Sequence, residues 1–289
     1  MKRARLNLLL LVLVAALAAT VYFTRKKEEP KGAPLTALNT DAIDRIRIEH
    51  PDRPALQLEK RGSDWWLSAP VSAPCDPFEV ATLLNLASAS TQRSFKLSEV
   101  KPAELKLDPP QFSITLNDQK LAFGDVEPLE YRRYVQHGDT VSLIDDPAAT
   151  SVDADYSDLL AKTLLPSDAR LVAIQLPGLS LKRDADGKRW QAEPAPAAAS
   201  ADDLSRLVEA WRHARAMWNA AIPAQAAQSG QTPQPITLSL EGGQTIQLLL
   251  ISREPQLIID RPDLKVRYTL SKADADTLLS LKPAAAAKP

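Results

Sequence analysis

The chain has 289 residues, enough for one large domain or two of ordinary size. Its 35 basic and 36 acidic residues leave a formal charge of −1, which excludes a global field suited to nucleic acid or an anionic surface. Cys75 is the only cysteine, so an intrachain disulfide, a thiolate zinc site and an acylated N-terminal cysteine are excluded as well.

Lys2, Arg3 and Arg5 precede an uncharged run from Leu6 to Phe23, after which Arg25, Lys26 and Lys27 return. As a helix this run spans roughly 27 Å, close to the ~30 Å hydrocarbon core of a bilayer. Tyr22 and Phe23 would sit at the far interface, where aromatic rings are favoured. Two readings stand side by side: an uncleaved signal anchor, or a signal peptide cleaved near Ala16-Leu17-Ala18. The apolar run continues past that site, which favours the anchor, and both readings export the remainder of the chain.

Internal similarity organises that remainder. At an offset of 124, Trp66 falls on Trp190, Pro70 on Pro194, Leu83 on Leu207, Ile114 on Leu238 and Leu116 on Leu240. With small shifts, Ile46-Arg-Ile48 matches Val172-Ala-Ile174 and Leu56-Gln-Leu58 matches Leu179-Ser-Leu181. Strands are expected over Ile46–His50, Leu56–Lys60, Trp65–Leu67, Phe112–Leu116, Lys120–Phe123, Tyr131–Gln136 and Val141–Ile144. In the second half they are expected over Ile236–Leu240, Thr245–Ile251, Gln256–Asp260 and Val266–Leu270. Asn117-Asp118 and Glu241-Gly242-Gly243 read as hairpin turns.

Asp76 before Pro77 signals a helix with an apolar stripe of Val80, Leu83, Leu84 and Ala87. Ser200 with Asp203 signals its counterpart, with Leu204, Leu207, Val208 and Trp211 as the stripe. Asp153 to Leu165 and Asp274 to Leu281 read as short closing helices. The expected fold class is α+β: two tandem repeated units of antiparallel sheet with a covering helix, preceded by one transmembrane helix. The expected division is 1–5 cytoplasmic tail, 6–24 anchor, 25–38 linker, 39–166 first unit, 167–282 second unit and 283–289 disordered tail.

The residues Ile46-Arg-Ile48, Trp65-Trp66-x-x-x-Pro70, Leu105-x-Leu107-x-Pro109-Pro110, Leu121-Ala-Phe-Gly124, Arg133-Tyr-Val135 and Val141-Ser-Leu-Ile-Asp145 resemble the bacterial domain of unknown function family DUF4340. Lys106 stands where the family usually has Gly. The resemblance implies a single-span protein of the bacterial inner membrane with its C-terminal portion in the periplasm or otherwise outside the cytoplasm. It also implies an accessory role beside ABC transporters of the gliding-motility type, and it brings no catalytic residue.

His50, His137 and His213 lack any metal-ligand spacing, which favours structural or solvent roles. Asp145-Asp146 with Asp153, Asp155 and Asp158 could hold a divalent cation, but turns and helix caps explain these carboxylates more simply. Cys75, just before a helix cap, has no obvious base beside it. Trp211 and Trp218, seven apart, are expected on one helix face. Trp66 is expected in the core, leaving Trp65 for an interface, and Arg132-Arg133 could meet a partner or form a cross-strand ion pair.

The sequence lacks a nucleophile elbow, a Walker loop and a dinucleotide fingerprint. The expectation is therefore a non-enzymatic scaffold, with no cofactor, metal site or nucleic-acid partner. Its partners would be the bilayer through Leu6–Phe23 and transporter subunits or other envelope proteins, met by Trp65, Arg132 and Arg133. A periplasmic lipid- or glycan-binding module using a crevice between the units is the alternative, and a metal-dependent hydrolase on the acidic cluster is a third reading.

Overall fold

A computed structural model describes residues 13, 14, 17, 32–145, 155–166, 168–195, 199–223 and 232–281. Two antiparallel sheets and a few short helices make up an α+β fold. The first half supplies β1 (Arg45–His50), β2 (Arg53–Arg61), β3 (Asp64–Ala69), β4 (Ala73–Pro74), helix α1 (Pro77–Asn85) and β5 (Thr91–Lys96). It continues with β6 (Phe112–Leu116), β7 (Gln119–Val126), β8 (Arg133–His137) and β9 (Thr140–Ile144).

The second half supplies β10 (Leu171–Leu176), β11 (Leu179–Arg183), β12 (Trp190–Glu193), α2 (Ala201–Arg212) and β13 (Trp218–Ala221). Then follow β14 (Gln234–Leu240), β15 (Thr245–Ser252), β16 (Leu257–Arg261), β17 (Val266–Leu270) and α3 (Lys272–Leu279).

The sheet orders are β4-β3-β2-β1-β6-β7-β8-β9-β5 and β12-β11-β10-β14-β15-β16-β17-β13. Apart from the two-residue β4, one order maps onto the other strand for strand. In each half the strand after the main helix crosses to the far edge, where β5 pairs with β9 and β13 with β17. The central pairings correspond too: Ile48 lies opposite Ile114, and Ile174 opposite Leu238.

Alternation explains the central strands. Ile46, Ile48 and Leu58 face inward and are almost fully buried, while Arg45, Arg47 and Gln57 face water. Asp76 accepts a hydrogen bond from the Phe78 amide at 2.9 Å and so caps α1. In α2, Ser200 and Asp203 form a capping box, and the buried residues include the expected Leu204, Leu207, Val208 and Trp211. The Trp211 indole donates to the Leu278 carbonyl at 2.8 Å and ties α3 to α2.

One hydrophobic cluster runs through both sheets and through the connector residues Leu159, Leu160, Leu164 and Leu165. The connector corrects the helix expected over Asp153 to Leu165. Only Tyr156–Leu159 forms a short 3-10 turn, after which Leu160 bridges to Cys75 and Thr163 to Arg215. Those bridges demand extended backbone, which a helix cannot supply; residues 151–154 lie outside the described residues.

Three further expectations change. Trp218 does not share a helix face with Trp211: α2 ends at Arg212, and Trp218 opens β13 opposite Thr269, where it is 46% exposed. Trp65, not Trp66, lies on the core side of β3 beside buried Leu67, as Trp190 lies beside Ala192 in β12. A bulge is responsible, because Gln57 faces Ala69 while Leu58 faces Leu67. One extra residue inverts the alternation between the matched prolines and the tryptophans. Finally, residues 33–36 do not act as a free linker. Leu35 and Thr36 are buried and bond to the Ala89 and Ala87 carbonyls, and the Ala33 carbonyl accepts from the Thr91 amide at 2.9 Å.

Candidate functional site

The larger of two candidate concavities, about 730 Å³, opens between the β3–β4 edge, α1 and the connector. Trp65, Trp66, Val80, Ala81 and Leu84 give it an apolar, aromatic wall. Trp65 and Trp66 face opposite sides of β3 yet both remain half-exposed at its edge. The Arg61 guanidinium lies over the Trp66 ring, 4.9 Å from its centroid.

At the floor, Asp76 combines three roles. It caps α1, its amide donates to the Leu159 carbonyl at 2.8 Å, and its second carboxylate oxygen accepts from Arg215 at 3.1 Å. Arg215 precedes β13, so this contact joins the two halves across 139 residues. Beside it, Cys75 is buried, and that burial pushes its thiol up to about 12. At neutral pH it is a protonated, inert thiol rather than a nucleophile.

The second concavity, about 550 Å³, lies where the halves meet. His50, Arg53, Leu56 and Val71 come from the first half, Asp155 and Tyr156 from the connector, and Lys265 from the β16–β17 turn. The Tyr156 hydroxyl donates to the Lys265 carbonyl at 2.9 Å and fixes one rim to the other. Burial raises the Tyr156 pKa, so the phenol stays a donor at neutral pH. The walls are largely apolar, and the charged residues lining them are Arg53, Lys265 and Asp155.

The other candidates are positioned by the fold rather than gathered at either concavity. Arg133 donates to the Gly124 carbonyl at 2.8 Å and to Gln111 at 2.9 Å, and it lies over the Phe112 ring. Arg132 pairs with Glu130 and lies 3.5 Å from Asp145. His137 bonds Gln119 at 2.9 Å, and His213 ends α2 near Glu209. Asp155 caps the 3-10 turn through the Ser157 amide; Asp146 and Asp153 lie outside the described residues. Among the described residues no three His, Cys, Asp or Glu side chains gather as metal ligands.

Three of the motifs carrying the family resemblance, at Leu105–Leu107, Gly124 and Arg133, meet at one node of the first sheet. The Asp125 amide donates to the Leu105 carbonyl at 2.8 Å, and the Asp125 carboxylate meets Lys106 at 2.7 Å. That ammonium, with the Val126 amide, holds the Asp125 pKa below its ordinary value. A Cβ on Gly124 would collide with the Leu105 carbonyl oxygen, which explains the glycine. Lys106 adopts φ +53°, the left-handed region where Gly carries no penalty.

Sequence reading singled out Trp65 but missed the Asp76–Arg215 link and the His50–Tyr156–Lys265 crevice, for which no local signal exists. Among the described residues no helix is long and apolar enough to cross a membrane. Of Leu6–Phe23 only Leu13, Val14 and Leu17 are described, all helical and exposed. No curated protein and no solved structure matches the chain. A family model described as domain of unknown function (DUF4340) matches residues 65–217, from β3 to the residue before β13, which takes in every residue lining the Trp65 groove except Ser63 and Asp64. That match covers more than half of the chain, and the protein belongs to this family.

Proposed function

We propose that the protein is a membrane-tethered, extracytoplasmic accessory protein, built from a duplicated unit, that binds a protein partner along the Trp65 groove. The groove carries this reading: half-exposed indoles beside small and aliphatic residues, set on a sheet edge and a capped helix, form the kind of anchor pocket that dominates protein interfaces. The matching strand orders support duplication. The apolar run from Leu6 to Phe23 between basic flanks, helical and exposed where described, supports a tether in the inner membrane. The resemblance suggests ABC transporter subunits as partners.

The test is a pull-down of full-length protein from detergent-solubilised membranes after mild crosslinking. Ala81, exposed in the groove wall, is changed to Arg to obstruct it without touching the core. Wild type should recover membrane subunits that Ala81→Arg loses at unchanged melting temperature. Recovery of the bait alone by wild type refutes the reading.

The crevice between the halves favours a second reading, a small ligand with an apolar body and an anionic group. Its apolar walls, with Arg53 and Lys265 outnumbering Asp155 among the charged lining residues, suit an acidic lipid or glycolipid fragment.

A further inference from the structure

The two most exposed large hydrophobic side chains among the described residues, Leu129 at 84% and Tyr131 at 79%, share the loop between β7 and β8. This loop is held in one shape. The Glu127 amide donates to the Arg132 carbonyl at 2.8 Å, the Glu130 amide to the Glu127 carboxylate at 2.8 Å, and the Tyr131 amide to the Glu127 carbonyl at 3.2 Å. Tyr131 sits at φ +57°, a left-handed conformation unfavourable to an aromatic residue. The fold thus holds strained backbone in place and turns two apolar side chains away from every core, a pattern that marks functional loops.

The position of the loop identifies what covers it. In the first sheet Val126 lies opposite Arg133, Arg133 opposite Ile144, and Ile144 opposite Thr91. Thr91 bonds to Ala33, and Pro34 bridges to Ser90. The loop therefore leaves the sheet at the end where the N-terminal segment enters it. From β8 to β5 is two strand spacings, about 10 Å. Between Phe23 and Gly32 the chain advances nine residues, a reach of at most about 32 Å even when fully extended. A bilayer holding Leu6–Phe23 is therefore within that reach of this end of the sheet, the end at which the apolar loop leaves it.

We infer that the β7–β8 loop is a membrane-contact element, with Leu129 entering the interface of the lipid leaflet and the Tyr131 ring resting at headgroup level. The inference rests on the tether proposed above. A tyrosine suits the boundary because its ring is apolar and its hydroxyl wet. Glu130 is paired with Arg132, so the contact is driven by apolar area rather than by charge and persists at high salt. Two points of attachment, tether and loop, fix the tilt of the first sheet on the membrane.

The experiment uses full-length protein carrying Leu129→Cys, labelled with an environment-sensitive fluorophore and reconstituted in phosphatidylethanolamine–phosphatidylglycerol vesicles. Buried Cys75 is replaced by Ala, and Asp118→Cys in the hairpin at the opposite end of the sheet serves as the reference. At position 129 the emission should shift to the blue and be quenched by lipid-borne nitroxide, at low and high salt alike, while position 118 remains water-like. Vesicle-bound protein with position 129 as water-like as position 118 overturns the inference and leaves the tether standing. Protein that fails to float with the vesicles removes the tether and, with it, this inference.

Discussion

Replacing Asp76 by Ala removes both the cap of α1 and the link to Arg215. The lost N-cap costs about 1 kcal/mol. The lost bond to Arg215 costs less than a buried charged pair, because the Arg215 side chain is 55% exposed and water replaces its partner; about 0.5–1 kcal/mol is reasonable. The bond from the Asp76 amide to Leu159 survives in every variant. The sum is about 1.5–2 kcal/mol, or a drop of about 3–8 °C in melting temperature. Asp76→Asn retains an oxygen for the Phe78 amide and should lose only about 0.5–1 kcal/mol. A double-mutant cycle with Arg215→Met isolates the pair, and a coupling near 0.5–1 kcal/mol is expected. Circular dichroism melts of full-length protein in detergent micelles measure wild type and every variant. The reasoning fails if Asp76→Ala melts within experimental error of wild type, or if Asn proves as damaging as Ala.

Gly124→Ala should cost more than a surface substitution, about 2–3 kcal/mol, because the new Cβ meets the fixed Leu105 carbonyl; an unchanged urea midpoint would show that the 102–110 loop yields freely. Cys75 supplies a pH test. Its folded pKa is raised from 9.0 to about 12, so the folded state holds the proton more tightly and this contribution is complete below about pH 9. Stability should fall as pH rises from about 9 towards about 12, and Cys75→Ala should show a shallower fall. Identical slopes for the two proteins would contradict burial as the cause.

What could be read from the sequence was whatever is encoded locally. The alternation in Ile46–Arg–Ile48, the turns at Asn117-Asp118 and Gly242-Gly243, and the caps Asp76 and Ser200 all act within a few residues, and the structure reproduces them. Strands β5 and β13 escaped notice because each lies at a sheet edge and shows no clean alternation. Thr91–Lys96 carries a single aromatic, and Trp218–Ala221 buries only Asn219. Their pairing with β9 and β17 follows from topology that no local window contains. Which of Trp65 and Trp66 packs on the core was not legible, because the bulge near Ala69 leaves no mark in the spacing. The concavities were invisible for a similar reason: His50, Tyr156 and Lys265 are brought together only by the completed fold.

The connector between the halves has a mechanical consequence. Leu159, Leu160, Leu164 and Leu165 are embedded in shared apolar packing, and Asp76 clasps Arg215 across them. Such a joint resists hinging, since any rotation would have to expose those leucines to water at a cost of several kcal/mol. A push or tilt applied to the first sheet is therefore carried to the second through this packing. The two halves are joined as one packed body rather than as beads on a string.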